Sequence, residues 1–399
     1  MTEKLYDERP YDTSFEAKVV SWESEETENG VIKKAVLDST MFFPNQGGQT
    51  SDRGTLGDYI VENVTIENGI ITHYLREEIK PDIYRLRDYD LGDTILGTVD
   101  WNHRFSNMQQ HTGEHIFTGI AHNKYGVENV GFHLSDNVVT LDLDKFLTDE
   151  QIEEIEIAAN DAIASNVPIK VFYPSKGELD FLDYRCKDGI EGEIRLVEIE
   201  GVDLCACCAP HVSTTGQVGV LKVIRHEKYK GGIRIWILCG ARALKQWQED
   251  KSVIDGLVKE MTCQPADLLG IIRELKEKNK NLSYELAQFK QEKILTSISH
   301  MSRHNVNIIT VFESGLDIKC MRDVVNSCLA VYKAPVIILS GDDECGYDFV
   351  ASLYEGRDSR EVIDLFKAEA EVKGGGSDKQ VQGHVTATAS RIKEILSGI

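Results

Sequence analysis

The sequence has no apolar run approaching the length of a membrane span. Its first residues, Met1-Thr2-Glu3-Lys4-Leu5, contain no apolar signal core. A cytoplasmic protein is expected, without membrane partners. Positive charge is also scarce. Lys and Arg number 44 against 66 Asp and Glu, giving a formal net charge of −22. A field of that sign repels phosphate, which excludes non-specific nucleic-acid binding and restricts any RNA contact to local basic patches. A disulfide framework is missing too: the nine cysteines are odd in number and unevenly spread. What remains is ordinary for soluble globular protein, 41% hydrophobic and 28% charged. A chain of 399 residues accommodates about two to four domains.

The feature that organises the chain is His111-Thr112-Gly113-Glu114-His115. Two histidines four apart on a helix project from one face, the geometry in which two imidazoles grip one metal ion. Far downstream, Cys207-Cys208-Ala209-Pro210-His211 offers a thiolate and a third imidazole at Cys-x-x-x-His spacing. Either half alone is more often surface or core residues. Together, His111, His115, Cys207 and His211 make a tetrahedral zinc set.

Residues 1–95 read as β structure. Lys18 to Trp22 and Val31 to Leu37 flank Asn29-Gly30, and Tyr59 to Ile66 and Ile70 to Leu75 flank Asn68-Gly69. Asn-Gly between such runs is a hairpin signal, and short strands with frequent turns suggest a small barrel. Inside it lies the loop Thr40 to Gln49, whose Gly47-Gly48 lets a backbone pass close to a ligand or another chain; taken alone it reads as an ordinary turn. Residues 96–245 mix helices with antiparallel strands, an α+β domain. A strand from Gly92 to Trp101 precedes a histidine helix over about 102–124, and a strand pair spans about 129–143. Thr148 to Gln151 has capping-box spacing ahead of Ile152, Ile155, Ala159 and Ile163. Strands are expected over 194–199, 218–224 and 233–238.

Residues 246–300 read as a helical linker. Leu268, Ile272, Leu275, Asn279, Leu282, Leu286 and Phe289 alternate spacings of four and three, a heptad seam with a polar residue at one a-type position. The seam serves either a dimer or a helical hairpin within the chain. Residues 301–399 suggest an α/β domain, with strands over 307–311 and 336–340 and helices over 321–332 and 360–371. Gly374-Gly375-Gly376-Ser377 precedes an expected final helix over about 382–396. A glycine run before a helix can cradle phosphate, though this one lacks P-loop spacing and reads equally as a flexible loop.

These pieces in this order resemble the editing half of alanyl-tRNA synthetase and its freestanding relatives, the alanyl-tRNA editing proteins, over essentially the whole chain. Phe43-Pro44 through Gly47-Gly48-Gln49 to Ser51-Asp52-Arg53-Gly54 resembles the family's glycine-motif loop. Gly92-Asp93, Val99-Asp100-Trp101 and Arg104 resemble the lead-in to its histidine helix. His111 and His115 match the first two zinc ligands. Asp203-Leu204, Cys207 and His211-Val212 match its Cys-Gly-Gly-Thr-His-Val loop, followed by Thr215-Gly216-Gln217-Val218-Gly219. The C-terminal part resembles, more weakly, the synthetase domain for oligomerisation and tRNA contact that is shared with DHH-type phosphoesterases. Two departures stand out: Gly-Gly-Thr is Cys208-Ala209-Pro210 here, and Cys205 adds a further thiol. No adenylation domain precedes the barrel, so the chain is expected to hydrolyse an aminoacyl ester and not to make one.

The resemblance implies zinc-assisted hydrolysis of the ester joining serine or glycine to tRNA-Ala, with residues 265–399 adding tRNA affinity and a homodimer contact. Four protein ligands would close the zinc sphere, so either one ligand is labile or the metal mainly orients substrate and loop. Glu114 stands as a candidate general base or as an exposed helix carboxylate. Thr40 matches a family position facing the pocket and is the candidate partner for a serine hydroxyl, with Gln49 as a second. Lys222, Arg225, Lys228, Lys230 and Arg234, interleaved with Tyr229 and Trp236, suit the acceptor end of a tRNA, or else form a solvated hairpin. Two other classes compete. His-x-x-Glu-His is also the inverted zinc-peptidase motif, with Glu114 as base, but that scheme leaves the Cys-x-x-x-His and glycine loops without a place. The third reading is a non-catalytic, zinc-stabilised RNA-binding or dimerisation module.

Overall fold

Alternating apolar and polar residues along short strands leave one face of each strand to be buried, and near the N-terminus a closed barrel buries them all. In chain order its strands are Ser14–Thr27, Gly30–Leu37, Gly54–Leu56, Tyr59–Glu67, Ile70–Glu77 and Thr94–Val99. The first, second, fifth, fourth, third and sixth of these are neighbours around the barrel. Val19, Leu37, Leu56, Val61, Ile71 and Val99 fill its inside. Asn68 and Gly69 take φ of 51° and 76°, the left-handed pair that a two-residue hairpin turn demands. The computed structural model describes residues 1–27, 30–77, 88–186, 193–301, 308–354 and 356–398, so Asn29 and Asn307 lie outside the described residues. It divides into two compact units, Met1–Ile254 and Asp255–Ile399.

The rest of the first unit is built on a four-stranded antiparallel sheet in the order Leu221–Tyr229, Gly232–Cys239, Val139–Leu143, Asn129–Leu134. Val218 falls in a short 3-10 turn, Thr215–Val218, and not in the strand expected from its apolar side chain. The histidine helix runs Trp101–Tyr125. Asp100 caps it by accepting from His103 N at 3.2 Å, and Gly126 ends it in the left-handed conformation. From Met108 to Ala121 it is almost wholly buried, so its polar residues lie inside the protein. The helix Asp149–Ala164 carries the capping box of Thr148 and Gln151 and packs Ile152, Ile155, Ala159 and Ile163 into the same core. A three-stranded sheet, Ile169–Phe172, Leu196–Ile199 and Asp203–Ala206, leads into the Cys-x-x-x-His loop.

Glycine loop and histidine helix are locked together inside this unit. Arg104, 1% exposed, donates from Nε to Asp52 Oδ1 at 2.9 Å and also pairs with Asp52 Oδ2. Its remaining donors reach Met41 O at 2.5 Å and Pro10 O at 3.0 Å, while Asp52 Oδ2 accepts from Phe43 N at 2.6 Å. Such a buried pair is tolerated only when its other hydrogen-bonding capacity is met in this way.

The second unit holds a five-stranded sheet in the order Ile309–Phe312, Val336–Asp342, Gly346–Ser352, Val381–Thr386, Glu371–Gly376. Only the first pair is parallel, joined through the helix Ile318–Tyr332. Two expectations are corrected here. Gly374 to Gly376 is edge strand paired with Val381–Thr386, not a phosphate loop ahead of a helix. The expected final helix is strand up to Thr386, because Val381 and Val385 alternate inward; helix begins only at Ala389, capped by Thr388. The long helix Leu268–Met301 packs Ile294 and Ile298 against the core, whereas Leu275, Leu282, Leu286 and Phe289 of its seam are exposed.

Candidate metal centre

Four side chains from two separated segments converge. One ligand atom each from His111, His115, Cys207 and His211 lies within 4.8 Å of the others. Cys207 Sγ is 3.5 Å from His111 Nε2 and 3.3 Å from His211 Nε2. Each imidazole is held through its other nitrogen. His111 Nδ1 is 2.8 Å from Gln49 Oε1, His115 Nδ1 is 2.8 Å from Asp203 Oδ2, and His211 Nδ1 is 3.0 Å from Thr112 Oγ1. With Nδ1 committed to an oxygen on all three rings, the three Nε2 atoms are left for the common point. That arrangement is the one metal-ligating histidines adopt.

The local sequence explains how each partner arrives. Gly48, at φ +82°, lies against the strand Asn129–Leu134; a Cβ there would come within 2.3 Å of Phe132 O. Leu134 N donates to Gly48 O and Thr50 N to Leu134 O, and this stitch delivers Gln49 to His111. Gly119, one turn past His115, lets strand Asp203–Ala206 approach; a Cβ there would meet Asp203 Cβ at 2.7 Å. Asp203 is completed by Arg185, whose Nε donates to Oδ1 at 2.7 Å. Arg195 Nη1 donates to Cys207 O at 2.8 Å and Ala209 O at 3.0 Å, pinning the thiol loop, while Ala209 is buried in the barrel core.

Electrostatics single out one thiol. Burial alone would raise Cys207, but the His111 and His211 imidazoles beside it hold it well below the usual thiol range. Burial pushes Cys205 and Cys208 up to about 12, so both stay protonated thiols. Burial disfavours the His115 imidazolium, yet the Asp203 carboxylate and the nearby sulfurs raise it well above its ordinary value. Cys205 also lies near His115 and Asp203. The two Asp203 oxygens face His115 and Arg185, so this carboxylate serves the first cluster by holding the His115 ring.

A cavity of about 340 Å³ opens on the cluster, lined by His111, Glu114, His115, Asn129, Arg185 and Cys207 among others. Glu114 is not the exposed helix carboxylate of one sequence reading; it is 5% exposed and accepts from Asn129 Nδ2 at 2.5 Å and Thr118 Oγ1 at 3.1 Å. Thr40 does not line this cavity. It is fully buried, its Oγ1 lies 2.9 Å from His73 Nε2, and it accepts from Phe42 N at 3.1 Å. Since His73 Nδ1 meets Ala35 O at 3.0 Å and must donate there, the Thr40 hydroxyl donates to Nε2. Gln49 braces His111 from behind, and its Nε2 is buried with no partner among the described residues.

The basic hairpin divides in two. Lys222 pairs with Glu156 and Arg234 with Asp142, so neither is a free cation. Arg225 stacks on Trp236 at 3.8 Å, and Lys228 and Lys230 sit over Phe146 and Tyr229 at 5.1 and 5.0 Å, all three exposed. None of the five lines the cavity. Sequence reasoning gave no role to Asp203, Arg185, Arg195, Thr112 or Asn129. A carboxylate four residues before Cys207 was a usable signal for Asp203; the others reach the site across 12 or more residues and leave no local pattern.

Comparison with known proteins assigns the class first. Residues 194–235 match the Threonyl and Alanyl tRNA synthetase second additional domain, which includes the thiol loop. The relatives then narrow it. The chain is 27% identical to the alanyl-tRNA editing protein AlaX-L of Pyrococcus horikoshii, over 99% of this chain and 97% of that one. It is 28% identical to mouse alanyl-tRNA editing protein Aarsd1, over 89% and 85%, and 28% identical to alanine–tRNA ligase of Ignicoccus hospitalis, over 99% of this chain but 42% of the ligase. Along nearly its whole length the chain is similar to alanyl-tRNA editing proteins. Among solved structures, the C-Ala domain of Aquifex aeolicus alanyl-tRNA synthetase covers 23% of this chain at 18% identity with a TM-score of 0.21, too low to carry an argument.

Proposed function

We propose that this protein removes a wrongly attached amino acid, serine or glycine, from tRNA-Ala by zinc-assisted ester hydrolysis. The observation that carries the reading is the convergence of His111, His115, Cys207 and His211 on one point at the wall of a cavity. The donor set fits zinc: one sulfur of lowered pKa and three imidazoles, each fixed through its other nitrogen. Zinc bound there would orient the ester and, with one of the four ligands displaced, would supply a Lewis acid to its carbonyl. The chain's own residues do the rest. Gln49, Asp203 and Thr112 hold the rings, Arg195 holds the thiol loop, and Glu114 presents a carboxylate to the cavity. Thr40 acts from behind, fixing the start of the glycine loop through His73 and Phe42.

Arg225, Lys228 and Lys230 are the cations left to meet tRNA phosphates, with Tyr229 and Trp236 available for stacking. The exposed Leu275, Leu282, Leu286 and Phe289 support self-association through residues 265–399. Sedimentation of the full chain tests that contact. The function itself is tested by incubating the protein with Ser-tRNA-Ala, Ala-tRNA-Ala and a peptide. Release of serine alone is expected; peptide cleavage would favour the inverted zinc-peptidase reading, and no cleavage a binding module.

A further inference from the structure

Of the buried acids in the first unit, Asp52 and Asp203 have both oxygens engaged by guanidinium, ring or backbone donors. Glu114 differs. Asn129 and Thr118 both address its Oε1. Among the described residues no hydrogen bond reaches Oε2, which stands 3.8 Å from His115 Nε2 at the cavity wall. The two arginines of the cavity are committed elsewhere: Arg185 to Asp203 and Thr118, Arg195 to the carbonyls of the thiol loop. Glu128 and Glu193 also line the cavity but are solvent-exposed. With His115 committed to the metal cluster, this 5%-exposed carboxylate keeps one oxygen facing the cavity, placed to receive a ligand cation.

An aminoacyl ester brings such a cation. Its α-ammonium sits on the carbon bonded to the ester carbonyl. A carboxylate next to the ring nitrogens that converge at the cavity wall, where the ester carbonyl would be bound, is within reach of that group. We infer that Glu114 receives the α-ammonium of the substrate, so that the enzyme acts on esters of free amino acids and spares esters whose amine is blocked or missing. The inference rests on the hydrolase reading. It assigns the cavity a substrate class, aminoacyl as opposed to peptidyl or N-acylated tRNA. It also gives Glu114 a binding part in place of proton abstraction.

The test compares Ser-tRNA-Ala with the hydroxy-acid ester obtained by nitrous acid deamination, in which a hydroxyl replaces the ammonium. Rates are normalised to the uncatalysed hydrolysis of each ester. A charge-assisted contact inside a cavity is worth roughly 10- to 100-fold. Wild type is expected to favour the amino ester by that factor, and Glu114→Gln to collapse that ratio by slowing the amino ester far more than the hydroxy ester. Zinc content, by plasma emission, is expected to match wild type in Glu114→Gln. A binding readout independent of turnover is titration with 3′-seryl-amido-3′-deoxyadenosine, which Glu114→Gln should bind roughly tenfold or more weakly. Equal wild-type rates on the two esters would overturn the inference and leave the hydrolase reading standing. Equal slowing of both by Glu114→Gln at full zinc would make Glu114 a proton acceptor and overturn it too. Failure of wild type to cleave either ester would remove the hydrolase reading itself.

Discussion

Replacing Arg104 by methionine tests how the site is held. The Asp52 carboxylate beneath it has no exposed surface, so Arg104→Met strands a buried charge and also strips donors from Met41 O and Pro10 O. Breaking a buried pair by removing one partner costs about 3–5 kcal/mol. For a unit of this size each kcal/mol lowers Tm by about 2–4 °C, so a fall of roughly 6–20 °C is expected. The four tryptophans, Trp22, Trp101, Trp236 and Trp247, all lie in Met1–Ile254, so their fluorescence reads the melting of that unit alone. Arg104→Met combined with Asp52→Leu removes both charges and is expected to be milder than Arg104→Met. A loss below about 1 kcal/mol for Arg104→Met, the range of an exposed pair, would refute the reasoning.

Other perturbations separate the parts of the site. Gln49→Ala frees His111 Nδ1 and is expected to weaken zinc binding about 10- to 100-fold in a competition titration with a chelator; unchanged affinity would make the Gln49 contact incidental. Burial holds His73 down to about 4, against 6.5 in the unfolded chain. Between those values the unfolded chain binds a proton that the folded one does not. The His73 contribution is therefore complete above pH 6.5 and falls by up to roughly 3 kcal/mol as pH drops towards 4. Urea melts of His73→Gln should show a flatter acid slope than wild type, and an equal slope would contradict the assignment. Charge reversal of Arg225, Lys228 and Lys230 together should raise KM for tRNA and lower the salt slope of binding by about 2–3 units, with kcat kept; an unchanged salt slope would take tRNA off this hairpin.

The convergence of His111, His115, Cys207 and His211 was foreshadowed by spacing, because two of them lie one helical turn apart and two lie in one short loop. The rings' supports were not. Gln49, Asp203 and Thr112 come from a glycine loop, a strand and the histidine helix itself, brought together only by tertiary packing. Thr40 shows the opposite case. A hydroxyl at the edge of a motif invites a substrate role, yet burial and His73 absorb it. In the second unit, Gly374 to Gly376 read as a loop because glycine has low strand propensity. Pairing with Val381–Thr386 overrides that preference, and the close strand approach explains the choice: a Cβ on Gly374 would lie 2.6 Å from Gln382 O. The helix Leu268–Met301 was legible from its heptads, but spacing alone does not reveal what covers Leu275, Leu282, Leu286 and Phe289, and they are exposed.

The most direct test of the account is the initial rate of serine release from Ser-tRNA-Ala as zinc is titrated into chelator-stripped protein. The rate should rise in proportion to bound zinc and level off at one equivalent per chain, and Cys207→Ser, lacking the thiolate, should gain little of either. A stripped protein that already releases serine at the full rate, or a Cys207→Ser variant that binds zinc and turns over like wild type, would contradict it.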